Sequence, residues 1–340
     1  MHRVLHIGLG PLGQMIAHHL HEREAGQIVA AVDLDPKLAS RALVDAVNDF
    51  GEPRVARSID DLPNEVWGEI DVVIVTTSSD LAKCAPLFRP LLERGLPIVS
   101  TCEELLWPYL RHPKLADELH ALAMKWGGRL LGTGVNPGFV MDTLPVVVSA
   151  VSNRVDRVEI ARIQDASTRR EPFQRKIGAG LDLDEFADRV AAGTLRHVGL
   201  GESLHFVAHA LGWRINRWRE TIEPTIARRL IESDTLHPIQ PGAAAGVRQV
   251  AEGFIDEESE PVLRLTFVAS IGEENPHDRI QIDGEPSIDL VLNGGIHGDD
   301  ATVAMVINML NRVREAPRGL HTMSTIRLPR FTVSASNRPR

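Results

Sequence analysis

Three glycines and two adjacent acids are the residues of this chain whose types and spacing could do chemistry. Gly8, Gly10 and Gly13, within VLHIGLGPLG (residues 4–13), keep the G-x-G-x-x-G spacing directly after a short apolar run, and the next apolar run, IVAAVD, ends in Asp33. In such a turn the first glycine makes the tight bend, the second lets the backbone approach a pyrophosphate, and the third lets helix and strand pack closely. Leu12, Met15, Ile16 and Leu20 follow at helical spacing, so the turn opens a helix whose positive N-terminal end faces an anion. These features predict a dinucleotide site in which Gly8, Leu9, Gly10, Pro11, Leu12 and Gly13 surround the diphosphate. Redox chemistry follows from it. Asp33 is expected to accept hydrogen bonds from the adenosine ribose, and its charge repels a 2′-phosphate, so NAD is favoured. Lys37 and Arg41, close by in sequence, keep NADP open.

Glu103 and Glu104 follow the apolar run LPIVST, which puts them at the carboxyl edge of a parallel sheet, where a nicotinamide ring would rest. A carboxylate there can hold a cation and exchange protons. Acids in the first turn of a helix also complement its dipole, which is the plain structural alternative. Successive helical residues point about 100° apart, so one of the two faces the crevice squarely; Glu103, nearer the strand end, is favoured. Thr76, Thr77 and Ser78 close the VVIV run and Thr101 and Cys102 the LPIVST run, and all five are candidates to touch the cofactor. Their hydroxyls could equally cap the helices that follow.

These residues need a scaffold. The segment DPKLASRALVDAVNDFG reads as a helix, IDVVIVTTSSD (70–80) as a buried strand, LAKCAPLFRPLLERG as a helix, LPIVST as a strand, CEELLWPYL as the start of another helix, and GRLLGTGVNPG as a further strand. This alternation describes a doubly wound α/β sheet, a Rossmann domain over residues 1–135. From about residue 155 the strands become half-buried: RVEIARIQDAS, PVLRLTFVASIG, DRIQIDG and SIDLVLNGG. They predict an α+β domain with a mainly antiparallel sheet, residues 136–300, for substrate binding and dimerisation. Val303, Val306, Ile307 and Leu310 keep i, i+3, i+4, i+7 spacing, so 301–340 is expected to be a helix and tail packed back on the first domain.

The chain has 340 residues, room for two cores, and a net charge of −9 without a long basic run, which argues against nucleic acid as a partner. Cys84 and Cys102 are its two cysteines and form no C-x-x-C pair, so neither a disulfide scaffold nor a thiolate metal site is expected, and a reducing cytoplasm fits. No apolar run approaches eighteen residues and no signal-type segment leads the chain, so neither a membrane span nor secretion is expected. His297, in GGIHGDD, could line a site; no second His or Cys is spaced to make a zinc site with it, and no metal is expected. His18, His19 and His21 read as surface. Arg169 and Arg170 are candidates for holding a substrate carboxylate, against a plain reading as a solvated face. Phe139, Phe173 and Trp213 are the aromatic candidates for a pocket wall.

Six longer stretches carry a resemblance. GTGVNPGFVMDTLP (132–145), DASTRREPFQRKIGAG (165–180), HVGLGES (197–203), GAAAGVRQVAEG (242–253), DRIQIDGEP (278–286) and GGIHGDDATVAMVIN (294–308) together resemble the family of 2,4-diaminopentanoate dehydrogenases. They resemble equally the related native amine dehydrogenases, which carry a dihydrodipicolinate-reductase-like N-terminal domain. The resemblance spans nearly the whole chain. It implies NAD(P)-dependent oxidative deamination of a primary amine to a ketone, or reductive amination in reverse, in a homodimer, with a small-molecule amine or ketone and ammonia as partners. It also implies that one of Glu103 and Glu104 holds ammonium, and that Asn136, Pro137, Gly138 and Phe139 wall the nicotinamide and substrate pocket. Dihydrodipicolinate reductase itself is a poorer match, because its His-His-x-x-x-Lys and Ser-Gly-Thr-Ala segments are missing. A reductase of a cyclic imine is the alternative enzyme. An NAD-sensing binding protein is the alternative from another class, and the acidic chain and the crevice acids speak against it.

Overall fold

The computed structural model describes residues 1–35, 54–169, 171–233, 236–256 and 260–332. Lys37, Arg41 and most of the helix expected around them, and Arg170, lie outside the described residues. The chain divides into two units, one of Met1–Phe139 with His297–Arg340 and one of Val140–Ile296.

In the first unit β1 (His2–Ile7) leads through the glycine turn into α1 (Pro11–Glu22) and β2 (Gly26–Val32), and the short β3 (Arg54–Ala56) pairs with β2. β4 (Val72–Val75), α2 (Leu81–Glu93), β5 (Pro97–Ser100), α3 (Pro113–Trp126) and β6 (Arg129–Gly132) complete the alternation. All the strand pairs are parallel. Every residue of β4 is buried, as a strand covered on both faces requires. Each such Val or Ile contributes about 1.5–3 kcal/mol by leaving water. Leu5, Ile7, Val73, Val75 and Ile98 form one core with Leu81, Phe88, Leu119 and Ala123 of α2 and α3.

In the second unit α4 (Thr143–Ser149) precedes β7 (Arg154–Asp165), and α5 (Glu171–Lys176), α6 (Leu183–Ala191) and α7 (Leu200–Ala210) follow. Then come β8 (Arg217–Ile226), β9 (Ala244–Phe254), β10 (Leu263–Ser270), β11 (His277–Glu285) and β12 (Ile288–Asn293). They form a sheet of order β12-β11-β7-β10-β9-β8 in which only β7 and β10 run parallel. The sheet is thus mixed, and mainly antiparallel as expected.

The chain then returns to the first unit as α8 (Gly298–Glu315), which buries Val303, Val306, Ile307 and Leu310 and packs on β5 and α1. β13 (Gly319–His321) adds a strand beside β6, giving the order β13-β6-β5-β4-β1-β2-β3. No helix among the described residues is long and apolar enough to cross a membrane.

The structure corrects the reading in three places. CEELLWPYL does not begin a long helix: Glu103–Leu106 form a short 3-10 turn, and the helix starts only at Pro113. Pro108 is the reason, because the residue before a proline avoids helical dihedrals, and Trp107 sits at φ −139°, ψ 73°. β8 and β9 carry no clear sequence signal. β8 is an edge strand whose burial alternates but whose two faces both carry charge, and β9 is buried nearly throughout with glycines inside it, so neither shows a clean apolar–polar alternation in sequence. β3 and β13, each three residues long, have too little sequence for any period to appear.

Candidate active site

The carboxyl ends of five parallel strands bring the candidate cofactor residues to one edge of the first unit. Gly8 follows β1, Asp33 follows β2, Thr76 follows β4, Thr101 follows β5 and Asn136 lies beyond β6. The strand order reverses between β1 and β4, which is where such sheets bind ligands.

The glycine turn is held from beneath. Gly8 has φ +93°, and a Cβ on it would stand 2.7 Å from the Thr76 carbonyl oxygen; one on Gly13 would stand 2.1 Å from the Gly8 oxygen. Thr76 Oγ1 donates to the Gly8 carbonyl at 2.6 Å, so this hydroxyl fastens the turn instead of facing outward. Asp33 also serves the turn: its Oδ2 accepts the Leu9 N–H at 2.5 Å and its Oδ1 the Asp35 N–H at 2.8 Å. Gly10 is different. A Cβ there would meet nothing within 4 Å, so contacts within the chain do not demand glycine, whereas a pyrophosphate lying on the backbone would. Pro11 begins α1, half-buried Leu12 follows, and no acid stands in the first turn. An anionic diphosphate fits that helix end.

His6 lies below this turn, fully buried, with Nε2 3.4 Å from Thr76 Oγ1. Burial pulls its pKa down to about 4, against a weaker opposing pull from Asp33. The ring is neutral at physiological pH.

The loop after β4 and the 3-10 turn after β5 pack together. Thr77 is exposed with its hydroxyl 3.7 Å from Cys84 Sγ, and Ser78 Oγ accepts the Asp80 N–H at 3.2 Å. Thr101 donates its N–H to the Val75 carbonyl, and Cys102 donates its N–H to Ser100 Oγ. The adjacent acids part company here. Glu104 is buried, its Oε2 accepting the Leu81 N–H at 2.9 Å and lying 3.0 Å from His112 Nε2, while its own N–H goes to the Ser79 carbonyl. Glu103 remains half-buried on the same turn. Asp80, Glu104 and His112 present oxygen and nitrogen donors within 4.8 Å of one another. Sequence reading missed His112, and its spacing carried no signal. Hydrogen bonds from the Leu81 and Lys83 amides account for the two carboxylates.

In the loop beyond β6, Pro137 and Gly138 are buried and Asn136 and Phe139 half-buried. Gly138 has φ +135°, and a Cβ on it would lie 2.4 Å from the Gly134 nitrogen, so no other residue fits. His297 is exposed at the start of α8, with Nδ1 3.0 Å from Asp300 Oδ2.

Arg169 belongs to the second unit and is no solvated surface cation. It is buried, its guanidinium lies 4.0 Å over the Phe173 ring, and Nη1 donates to Gln164 Oε1 at 3.4 Å. A buried polar row on this unit's sheet had no place among the sequence candidates. Arg162 pairs with Asp278 at 2.8 Å, both 1% exposed, and the pair fixes Ile296 through its carbonyl and its N–H. His197 stacks on Phe267 at 4.3 Å, and burial, with the Lys176, Arg162 and Arg169 charges, holds it well below the usual histidine range. Strand parity was the available signal, since Val158, Ile160, Arg162 and Gln164 alternate onto one covered face of β7.

This fold and this sheet edge define a dehydrogenase of the Rossmann type. Residues 139–338, more than half of the chain, match the family described as 2,4-diaminopentanoate dehydrogenase C-terminal domain, and the chain belongs to that family. It is 28% identical to the 2,4-diaminopentanoate dehydrogenase of Acetoanaerobium sticklandii, with 96% of this chain and 94% of that protein aligned. It is 22% identical to an amine dehydrogenase of Streptomyces virginiae, over 92% of this chain and 93% of the other. Among solved structures it is similar to the amine dehydrogenase from Mycobacterium smegmatis, with a TM-score of 0.82, 23% identity and 97% of each chain covered, a likeness of fold.

Proposed function

We propose that the protein is an NAD-preferring amine dehydrogenase, which deaminates a primary amine to a ketone oxidatively and aminates the ketone with ammonia in reverse. The observation that carries this reading is Glu103, a half-buried carboxylate on the turn that follows β5, at the edge where the glycine turn fits a dinucleotide. Family membership and two relatives named for amine chemistry support it.

Bound nicotinamide cofactor supplies or accepts the hydride. The chain's own residues do the rest. The Glu103 carboxylate accepts hydrogen bonds from ammonium, stabilises the positive charge of the substrate iminium and exchanges protons as the carbinolamine collapses. Glu104 is a positioning residue, because its bonds to Leu81 and Ser79 fix the turn that carries Glu103. Asp33 selects NAD through its charge. Asn136, Pro137, Gly138 and Phe139 form a wall of the nicotinamide and substrate pocket, with His297 as a further substrate contact. Family resemblance supports a homodimer, and two free thiols fit a cytoplasmic setting.

The test is a panel of ketones and keto acids with NADH, followed at the nicotinamide absorbance, and in reverse 2,4-diaminopentanoate and simple primary amines with NAD. NADH oxidation is expected to require ammonium and to saturate with it. NADH consumption without ammonium, yielding the alcohol, would overturn the reading in favour of a carbonyl reductase.

A further inference from the structure

Cys84 and Cys102 are the chain's two cysteines and stand on separate elements, Cys84 in the first turn of α2 and Cys102 directly before Glu103. The fold brings them together in the core between the sheet and α2, at 1% and 2% exposure. Cys84 Sγ lies 3.4 Å from the Ser78 carbonyl oxygen, and Cys102 Sγ lies 3.4 Å from that of Ser79. Two successive carbonyls of one loop thus hold the two thiols. The Ser79 carbonyl further accepts the N–H of Glu104, so the dithiol, the loop after β4 and the acidic turn share one anchor.

We propose that Cys84 and Cys102 are a redox modification site, closing to a reversible disulfide under a hydroperoxide and thereby switching off the edge that carries Glu103. The site itself stands on the two thiols; the loss of activity rests on the Glu103 reading above. The chemistry balances in two steps. Cys84 sulfur attacks a peroxide oxygen: an S–O bond forms, the O–O bond breaks, and hydroxide leaves and takes up the thiol proton as water. Cys102 sulfur then attacks the sulfenic sulfur of Cys84: the S–S bond forms, the S–O bond breaks, and a second water leaves with the Cys102 proton. The two cysteines are oxidised by two electrons in total and the peroxide is reduced by two.

The surroundings suit these roles. The neighbouring Cys102 thiol, with Thr77 and the Ser78 backbone and against the opposing effect of burial, brings the Cys84 thiol down to about 7, so it is the more readily ionised of the two. The neighbouring Cys84 thiol and burial push Cys102 up, which suits a resolving thiol. Burial of both sulfurs selects a small oxidant over a bulky disulfide. Oxidation consumes both S–H donors to the Ser78 and Ser79 carbonyls. It also ties Cys102, the residue before Glu103, to α2, and a misplacement of about 1 Å costs roughly 100-fold where a reacting group must be positioned.

The experiment treats the reduced full-length protein with hydrogen peroxide and follows three readouts: thiol count after denaturation, peptides by mass spectrometry, and NADH oxidation with ketone and ammonium. The expected result is a fall from two thiols to none, a peptide linked through Cys84 and Cys102, and a roughly 100-fold drop in kcat/KM that dithiothreitol reverses. Oxidised glutathione should act far more slowly. Cys84→Ser, whose hydroxyl still donates to Ser78, is expected to stay active and to show no reversible loss; Cys84→Ala serves if the serine variant does not fold. Two free thiols persisting while methionines oxidise would overturn the site. A complete disulfide with full activity would overturn the switch, and if Glu103→Gln is then also active, the Glu103 reading falls with it.

Discussion

His6 makes acid sensitivity a property of the cofactor edge, and its size can be worked out. The ring is fully buried beneath the glycine turn, and its Nδ1 has no hydrogen-bond partner among the described residues. A proton on it must therefore be carried without compensation, and its pKa falls from 6.5 to about 4. Above pH 6.5 the ring is neutral in folded and unfolded chains alike. Between 6.5 and 4 the unfolded chain takes up a proton that the folded chain refuses, so stability falls with pH across that window. The linkage amounts to about 2 kcal/mol lost by pH 5 and about 3 kcal/mol by pH 4. His6→Leu keeps an apolar side chain of similar bulk and removes the titration. Urea unfolding of wild type and variant at pH 7.5, 6 and 5, followed by circular dichroism, should show the wild type losing about 2 kcal/mol more than the variant between 7.5 and 5. Carboxylates and His197 titrate in both proteins and cancel in the difference. Parallel stability curves would refute the argument, because His6 would then be protonated in the fold at no cost.

Two further outcomes are expected. Asp33→Ser should weaken NAD binding at least tenfold and move the NAD to NADP preference toward NADP, read as dissociation constants by fluorescence titration; equal loss of both cofactors would leave Asp33 a purely structural residue. Glu103→Gln should lower kcat/KM at least about 100-fold with NADH binding unchanged, whereas Glu104→Gln should cost about 1–3 kcal/mol of stability in thermal unfolding; the reverse pattern would exchange their roles.

How much of this was legible in the sequence depends on how local each signal is. The glycine turn, β1, β4, β5 and α8 announce themselves, since a turn that excludes side chains, a doubly buried strand and a long amphipathic helix each confine their constraint to consecutive residues. β8 and β9 do not, because strand pairing alone explains their backbone. The parallel character of the first sheet followed from its alternation, but the division of labour between Glu103 and Glu104 did not: it depends on Leu81 and His112, brought to Glu104 by α2 and by the turn around Pro108. The pairing of Cys84 with Cys102 has the same origin. Arg162 was readable by parity, as a charge on the buried register of β7, whereas its partner Asp278 lies on a strand whose neighbour only the fold determines.

The glycine turn shows why one acid cannot be given one role. Leu9 directs its amide to Asp33, and Pro11 has no amide hydrogen, so two of the donors a helix start would offer an anion are already removed. Those left at the opening of α1 belong to Gly10, Leu12 and Gly13, since Gln14 already donates to the Gly10 carbonyl. A diphosphate bound at this helix start would meet three neighbouring amides, two of them on glycines. Asp33 keeps that set in place by tying Leu9 back, and the same charge repels a 2′-phosphate. A substitution at Asp33 therefore acts on the geometry of the turn and on cofactor choice together, so only the ratio of the two dissociation constants isolates the electrostatic part, because a loosened turn weakens NAD and NADP alike.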